Sequence, residues 1–249
     1  MRSTEITLIQ ADWPAPACVR TCVTTRQTGV SEGAFAYANM ALHVGDDPQK
    51  VLQNRQQLTE QLQLTQPICW LDQQHTTEVV RAELWRQPPV ADALWTDQPG
   101  LACAVMTADC LPVFFTTMDG QKVALAHAGW RGLLAGILEN TVAALGVPAE
   151  QLITWFGPAI GLDGFLVGEE VRAAFIEQDP QAEQAFEASI FEDRWFGDIY
   201  RLARLRLARL GIAACYGGIY CSHNQGQLFY SYRRAQTTGR MASVIWIAE

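Results

Sequence analysis

The chain has 249 residues, is 49% hydrophobic, contains seven cysteines and has a formal net charge of −8 at pH 7; this length and apolar content predict one domain, residues 1–249, with a substantial core. The negative charge argues against binding to nucleic acid through its phosphates, and the absence of a signal-peptide pattern or of a run of roughly 18 apolar residues argues against a membrane protein. An odd number of cysteines without framework spacing is typical of reduced thiols, so we predict a cytoplasmic protein.

In the first half of the chain, two helices enclose a series of short strands. Asp47 as N-cap and Pro48 at the first helical position predict a helix over 48–64. Its apolar stripe contains Val51 and Leu58, and Arg55 falls on the same stripe. Runs rich in β-branched and aromatic residues predict strands at 68–71, 77–82, 92–96, 101–108, 111–117 and 122–127. A second helix is predicted over 132–145.

The second half of the chain continues with the same kinds of element. A strand is predicted at 152–156, helices near 168–178, 181–188 and 198–210, and strands at 212–221, 227–233 and 241–247. Several short strands follow one another between isolated helices, which differs from a regular βαβ alternation. We therefore predict an α+β fold, a single layered domain with mixed β-sheets flanked by helices.

Three residues from separate segments carry the clearest chemical pattern. Cys110 lies between His75 and His127 in the sequence, and each interrupts or ends an apolar run beside polar or small residues, where loops form sites. One thiolate and two imidazoles are a complete protein ligand set for a catalytic zinc. Alternatively, Cys110 would be a nucleophile with His127 as its base. A fourth protein ligand, His43 or His223, would instead make the chain a non-enzymatic metal-binding module.

Arginines are the candidate anion-binding groups, because Lys50 and Lys122 are the only lysines. Arg131 lies where the free N–H groups and the dipole of the second predicted helix favour an anion. Arg55 is either a snorkelling side chain or a guanidinium directed into a pocket. The other candidates for substrate or phosphate binding are Asn39, His43, Arg233 and Arg240. Each also has a purely structural alternative, such as an ion pair or a hydrogen-bonded histidine.

Ordered motifs along nearly the whole chain resemble the YfiH family, also called the laccase-domain or multicopper polyphenol oxidase family, whose members are generally described as purine nucleoside phosphorylases. The motifs are His43-Val-Gly-Asp-Asp47, Asn54-Arg55, Gln74-His75-Thr76, Met106-Thr-Ala-Asp-Cys-Leu-Pro112, Ala126-His-Ala-Gly-Trp-Arg-Gly132, Gly157-Pro-Ala-Ile-Gly161, Val167-Gly168, Tyr232-Arg-Arg234 and Thr238-Gly-Arg-Met-Ala-Ser243. The resemblance implies an α+β domain with a zinc held by His75, Cys110 and His127.

The resemblance also implies an activity. It implies phosphorolysis of adenosine, inosine, guanosine and S-methyl-5′-thioadenosine, together with deamination of adenosine, so purine nucleosides and phosphate are the expected partners. Zinc lowers the pKa of bound water to about 7, which would supply hydroxide for attack on adenine C6. We expect Cys110 and His127 to act at the reacting centre, with Asp109 or Glu78 as proton shuttle. The alternatives are a Cys–His hydrolase acting in peptidoglycan precursor editing and a copper-dependent polyphenol oxidase.

Two further observations qualify the resemblance. The family usually has Pro, Glu and Asp where this chain has Leu162, Leu166 and Ala235, and the loss of two acidic groups bears on substrate preference. Copper is a doubtful cofactor, because four histidines without a His-x-His pair cannot build a multicopper array. We therefore expect any oxidase activity to come from adventitious copper.

Overall fold

The computed structural model describes residues 5–249, in which three β-sheets combine with helices. The α-helices are α1 (Pro48–Gln61), α2 (Trp130–Ala135), α3 (Ile137–Leu145), α4 (Glu169–Gln178) and α5 (Ile199–Arg209). The strands are β1 (Leu8–Ile9), β2 (Val19–Thr24), β3 (Val79–Arg81), β4 (Ala93–Thr96), β5 (Cys103–Thr107), β6 (Leu111–Thr117), β7 (Val123–Ala128), β8 (Leu152–Phe156), β9 (Leu166–Gly168), β10 (Phe186–Ala188), β11 (Arg194–Gly197), β12 (Cys215–Gly217) and β13 (Met241–Ile247).

The largest sheet is mixed. Its order is β12-β8-β6-β7-β4-β3, with parallel pairs at both edges and antiparallel pairs between them. A second sheet, β1-β2-β13-β5, and a third, β10-β11-β9, are antiparallel throughout. The predicted α+β fold with mixed sheets and flanking helices is therefore confirmed.

The core lies on both faces of the two larger sheets. One face of β6, which includes Val113 and Phe115, packs against α3 and α5. The opposite face, which includes Phe114, packs against Val105 of the four-stranded sheet. The outer face of that second sheet packs against Leu58 of α1. Strands covered on both faces have continuous apolar sequences, which is why the strand-forming segments here do not alternate between polar and apolar residues.

Most predicted elements are found within a few residues of their predicted bounds. The helix beginning at Pro48 has Asp47 as its N-cap, whose side chain accepts a hydrogen bond from the N–H of Gln49. The central strands β4 to β8 and the last strand β13 also lie where the sequence predicts them. Among residues 5–249, no helix is long and apolar enough to cross a membrane.

Several predicted elements differ from the structure. The single helix over 132–145 is two helices, because Gly136 has a φ of 104° and the left-handed conformation ends a helical turn. The segment 227–233 forms turns instead of a strand, although Phe229 and Tyr230 are fully buried. Residues 68–71 contribute only an isolated bridge at Cys69. The predicted helix 181–188 is a short 3-10 helix (Pro180–Ala185) followed by β10.

Candidate metal centre and its pocket

Strand pairing brings Cys110 and His127 to the same place. In the antiparallel pair of β6 and β7, Leu111 faces Ala128 and Pro112 faces His127. Cys110 is the residue immediately before β6. The register of these two central strands therefore places the thiol beside the imidazole at one end of the sheet.

The third member of the group, His75, lies in a loop. Its backbone has a φ of 59°, which is uncommon for a residue with a side chain. Its Nε2 lies 3.6 Å from the Sγ of Cys110, and its ring centroid lies 4.8 Å from that of His127. One ligand atom from each residue lies within 4.8 Å of the others, and residues 5–249 contain no second such group of His, Cys, Asp or Glu. The predicted convergence of three separate segments is confirmed.

Asp92 contacts two of these three segments, and sequence reasoning missed it. Its side chain is fully buried, and its Oδ1 lies 2.7 Å from Nδ1 of His127. Its Oδ2 accepts hydrogen bonds from the N–H and the hydroxyl of Thr76, the neighbour of His75. The sequence shows only a carboxylate before the apolar residues of β4, and such a position is also typical of a surface turn.

The charges in this group favour a thiolate. Burial raises the pKa of the Cys110 thiol, but His127 and His75 outweigh burial and lower the pKa to about 6. Burial lowers the pKa of the His127 imidazole, but Cys110 and Asp92 outweigh burial and raise that pKa to about 9. Burial likewise raises the pKa of Asp92, and its hydrogen bond and charge interaction with His127 bring it below its ordinary value. At neutral pH Cys110 is therefore mainly a thiolate, the form that binds metals.

Gly129 allows the group to be compact. A Cβ at this position would lie 2.6 Å from Cδ2 of His75 and 3.0 Å from Sγ of Cys110. Gly129 is also the N-cap of α2. Any side chain at position 129 would displace a ligand or the start of this helix, so the absence of a Cβ is a requirement of the site.

The donor set fits a zinc ion. It offers one thiolate sulfur and two imidazole nitrogens, and three protein ligands leave a fourth position open for a substrate or water. His43 and His223 lie outside the group, so within residues 5–249 no fourth histidine closes the site. Because the chain has only four histidines, the group offers donors for one ion and has no further histidines for a multicopper cluster.

A cavity of about 560 Å³ opens onto the three ligands. Its wall combines positively charged and aromatic or apolar side chains. The positively charged wall contains Arg131, Arg233 and Arg240, with His43 beside them. Sequence reasoning missed the residues that form the rest of the wall, among them Gln73, Trp130, Ile160, Phe165, Ile199 and Tyr232.

Two of the three cavity arginines are held by neutral groups. The Arg233 guanidinium donates hydrogen bonds to the carbonyls of Gly164 and Leu166, and that of Arg240 donates to the carbonyls of Thr238 and Gly239. Burial lowers the pKa of Arg240 from its ordinary value. Within residues 5–249, no salt bridge connects any of the three to a carboxylate. Their positive charge is therefore available to an anion in the cavity.

Arg131 differs from the other two in its surroundings. Its side chain is exposed, and its Cζ lies 4.4 Å from the ring centroid of Trp130. It belongs to the first turn of α2, which has only six residues. A helix this short has a weak dipole, so anion binding here depends on the guanidinium more than on the predicted helix terminus.

Asp109 reaches the cavity, but both of its carboxylate oxygens are engaged. Oδ1 accepts a hydrogen bond of 2.6 Å from the hydroxyl of Ser222. Oδ2 accepts from the hydroxyl of Ser231 at 3.0 Å and from the N–H of Arg233 at 2.7 Å. This arrangement connects the loop before Cys110 to the loop that carries Arg233, so the Asp109 carboxylate helps to order the site.

Two residues predicted to bind substrate lie outside the cavity lining. Arg55 donates to the carbonyl of Met40 at 2.8 Å, and its Cζ lies 3.9 Å from the ring centroid of Trp70. Asn39 is fully buried, and its Oδ1 accepts from the N–H of Arg240. In the structure, Arg55 and Asn39 therefore support the loops of the site and do not face its interior. Glu78, the alternative proton shuttle, is exposed and also lies outside the lining.

The sequence of residues 20–248 matches the family described as multi-copper polyphenol oxidoreductase laccase. The chain belongs to this family. Among residues 5–249, the one group of His, Cys, Asp or Glu that could hold a metal ion is His75, Cys110 and His127. The predicted resemblance is thereby confirmed over nearly the whole chain.

Relatives of this laccase family member carry a different functional name. The chain is 51% identical over 238 residues to a purine nucleoside phosphorylase of Pseudomonas aeruginosa, covering 96% of this chain and 97% of the relative. It is 45% identical over 243 residues to purine nucleoside phosphorylase YfiH of Escherichia coli, covering 96% and 98%. The crystal structure of a Neisseria meningitidis protein matches with a TM-score of 0.94 and 48% identity, covering 97% of this chain and 99% of that one.

Proposed function

We propose that the chain is a zinc-dependent purine nucleoside phosphorylase that also deaminates adenosine. The observation that carries this proposal is the cavity, in which three ligand side chains, three arginines without salt bridges and an aromatic and apolar wall meet. Relatives over nearly the full length are named purine nucleoside phosphorylases. Adenosine, inosine, guanosine and S-methyl-5′-thioadenosine are the proposed substrates, with phosphate as the second substrate.

The positively charged wall suits the phosphate. The cavity lining contains three arginines, Arg131, Arg233 and Arg240, and one carboxylate, Asp109. The chain as a whole, in contrast, carries a net charge of −8. This local excess of positive charge attracts anions. A guanidinium binds phosphate through two parallel hydrogen bonds, and the carbonyls that hold Arg233 and Arg240 orient them before phosphate arrives.

The remaining wall suits a nucleoside. Trp130, Phe165 and Tyr232 offer rings and edges to a purine, and stacking on aromatic side chains is a common way to hold a base. His43 lines the same cavity; its burial and the charge of Arg240 lower its pKa below the ordinary value, so it is a neutral imidazole at pH 7. A neutral imidazole can donate or accept a hydrogen bond to a ribose hydroxyl or a purine nitrogen.

In the proposed reaction, the bond between C1′ of the ribose and the purine nitrogen breaks. A phosphate oxygen forms the new bond to C1′, and the purine leaves after taking up a proton. The arginines bind and orient the attacking phosphate, and the aromatic wall keeps water away from the sugar. His75, Cys110 and His127 would hold the zinc, which when bound supplies a positive charge and Lewis acidity beside the substrate.

The proposal is tested with purified protein, a purine nucleoside and phosphate. We expect ribose 1-phosphate and free base, with a rate that depends on phosphate. Release of free ribose at a rate independent of phosphate would identify a hydrolase instead. Conversion of adenosine to inosine, followed in the same protein without phosphate, tests the deaminase activity separately.

A second candidate function is a Cys–His hydrolase acting in peptidoglycan precursor editing. The observation in its favour is the series Cys110, His127 and Asp92, in which the thiolate lies beside an imidazole that a carboxylate orients, as in catalytic triads. His75 contacts the same sulfur from another segment, and two imidazoles around one thiolate favour metal binding. Activity that survives zinc removal and is abolished by thiol alkylation would support the hydrolase.

A further inference from the structure

The two carboxylate oxygens of Asp92 contact different parts of the proposed metal site. Oδ1 is 2.7 Å from Nδ1 of His127. Oδ2 accepts from the N–H of Thr76 at 2.5 Å, from its hydroxyl at 2.8 Å and from the N–H of Gln74 at 3.2 Å. Gln74 and Thr76 are the two neighbours of His75, so one buried side chain contacts the strand that carries one histidine and the loop that carries the other.

The backbone of Asp92 is itself fixed to the central sheet. Its carbonyl accepts a hydrogen bond of 2.7 Å from the N–H of His127, and its N–H donates to the carbonyl of Glu78. The next residue, Ala93, pairs with Ala126 in the β4–β7 ladder. The side chain therefore has a rigid base, and its fully buried position removes water as a competing partner.

Each contact of Asp92 fixes a property that a metal ligand needs. The bond to Nδ1 of His127 selects the tautomer whose Nε2 is free to bind a metal. The bonds to Gln74 and Thr76 hold the loop in which His75 has its unusual φ of 59°. A left-handed residue other than glycine persists only where neighbouring contacts determine its conformation.

We propose that Asp92 is a positioning residue that orients both histidines of the metal site, acting on His127 directly and on His75 through Gln74 and Thr76. It does not itself contact substrate or metal. The inference rests on the metal site of the proposed function, and it makes a prediction about metal affinity that does not involve a nucleoside.

The test is the zinc affinity of the full-length protein, measured by competition with a chromophoric chelator. We expect Asp92→Asn to weaken zinc binding by about 10- to 100-fold, the usual effect of losing such an outer partner. Asp72→Asn is the matched control, because Asp72 lies in the same loop, is exposed, and its carboxylate accepts a hydrogen bond from the side chain of Gln74 and not from a backbone N–H next to His75. Its affinity for zinc should equal that of the wild type.

A second pair of variants separates positioning from folding. Thr76→Val removes the hydroxyl that donates to Asp92 and should weaken zinc binding several-fold. Thr76→Ser keeps a hydroxyl and should have the zinc affinity of the wild type. If Asp92→Asn does not fold, the comparison of Thr76→Val with Thr76→Ser decides.

Wild-type zinc affinity in folded Asp92→Asn, or equal affinities in Thr76→Val and Thr76→Ser, would overturn the inference. An equal loss in Asp72→Asn would also overturn it, because the effect would then not be specific to Asp92. The proposed function fails in a different way. Suppose that the wild type binds zinc and that the variants bind it more weakly as expected, but that no nucleoside is cleaved. The positioning role of Asp92 then stands and the phosphorylase proposal does not.

Discussion

The two sides of the cavity are built by different means. The metal side comes from the central strands β6 and β7, and a fully buried carboxylate, Asp92, braces it. The positively charged side comes from the loop 231–240 and the first turn of α2, where Arg131 and Arg233 are exposed. Backbone carbonyls hold Arg233 and Arg240. The central sheet thus positions Cys110 and His127, whereas hydrogen bonds to loop carbonyls position Arg233 and Arg240.

This difference is a division of tasks. A metal site needs its donors within a few tenths of an ångström of their final positions, which a packed interior supplies. In the proposed reaction a phosphate enters and leaves in each catalytic cycle, which the exposed side chains of Arg131 and Arg233 allow. Each of the following predictions tests one side of the cavity or the support around it.

The largest effect is expected on the metal side. Cys110→Ala should reduce zinc from about one per chain to a small fraction after dialysis, because two imidazoles alone are an incomplete ligand set. Metal analysis measures this directly. Cys18→Ala is the control, since Cys18 is also half-buried but lies outside the ligand group. Full zinc content in Cys110→Ala would show that the ligands are wrongly identified.

On the positively charged side, Arg131→Ala and Arg240→Ala should each lower kcat/KM for phosphate by about 10- to 100-fold, the effect of losing a charge-assisted hydrogen bond. Adenosine deamination consumes water, so it should fall less in the same variants. Arg86→Ala is the control, because Arg86 is exposed and lies outside the cavity lining. An equal loss of both activities with zinc retained would end the assignment of these arginines to phosphate.

The preformed thiolate gives a pH test in metal-free protein. Because the imidazoles lower the pKa of Cys110 to about 6, its thiolate fraction should rise as pH increases through about 6 and stay high above pH 7. An ordinary thiol has a pKa of about 8.5. The alkylation rate of Cys110 by iodoacetamide, located by peptide mass spectrometry, measures this. A midpoint near 8.5 would show that the metal side is not electrostatically preorganised.

Gly129→Ala tests how compact the metal side is. The added Cβ would lie 2.6 Å from His75, so we expect a loss of about 1–3 kcal/mol in the free energy of unfolding, together with weaker zinc binding. Gly132→Ala is the comparison in the same helix, since the nearest atom to its Cβ would be the carbonyl oxygen of Thr76, at 3.3 Å. Denaturant unfolding and zinc titration should separate the two variants; equal behaviour would contradict the assigned role of Gly129.

The smallest effect is expected where support is indirect. Arg55→Lys should cost about 1 kcal/mol of stability, because lysine loses the stacking on Trp70 and the directed bond to Met40. The KM for phosphate should not change, since Arg55 lies outside the cavity lining. A large rise in that KM would return Arg55 to the phosphate site.

The sequence predicted the ligand residues of the site but not the carboxylate that contacts them. Cys110, His75 and His127 were predictable because thiol and imidazole side chains beside apolar strands have few common roles. Asp92 was not predictable, because one carboxylate before an apolar strand looks the same whether it is buried or exposed. Its role becomes visible only when β4 and β7 pair and bring it to His127.

The fold shows a similar limit. The helix α1 was predictable from local features, Asp47 and Pro48 at its start. The run 227–233 has the composition of a strand, and its Phe229 and Tyr230 are fully buried, yet it joins no sheet and contains turns. Arg55 shows the same problem for a side chain: its helical periodicity places it inward, but its partners, a carbonyl and an indole ring, come from distant segments.

The register between β6 and β7 has a consequence for how this chain tolerates insertions and deletions. The side chain of a strand residue changes face with every step, so one residue gained or lost within 123–126 would turn His127 away from Cys110. The turn that joins the strands is closed by backbone hydrogen bonds between Thr117 and Lys122 and between Gly120 and Thr117. A change of its length leaves the residues within the strands in place, and the pairing of β6 with β8 and of β7 with β4 supports their register independently of the turn. The metal site of this protein should therefore be more sensitive to length changes inside these two strands than to length changes in the hairpin turn between them.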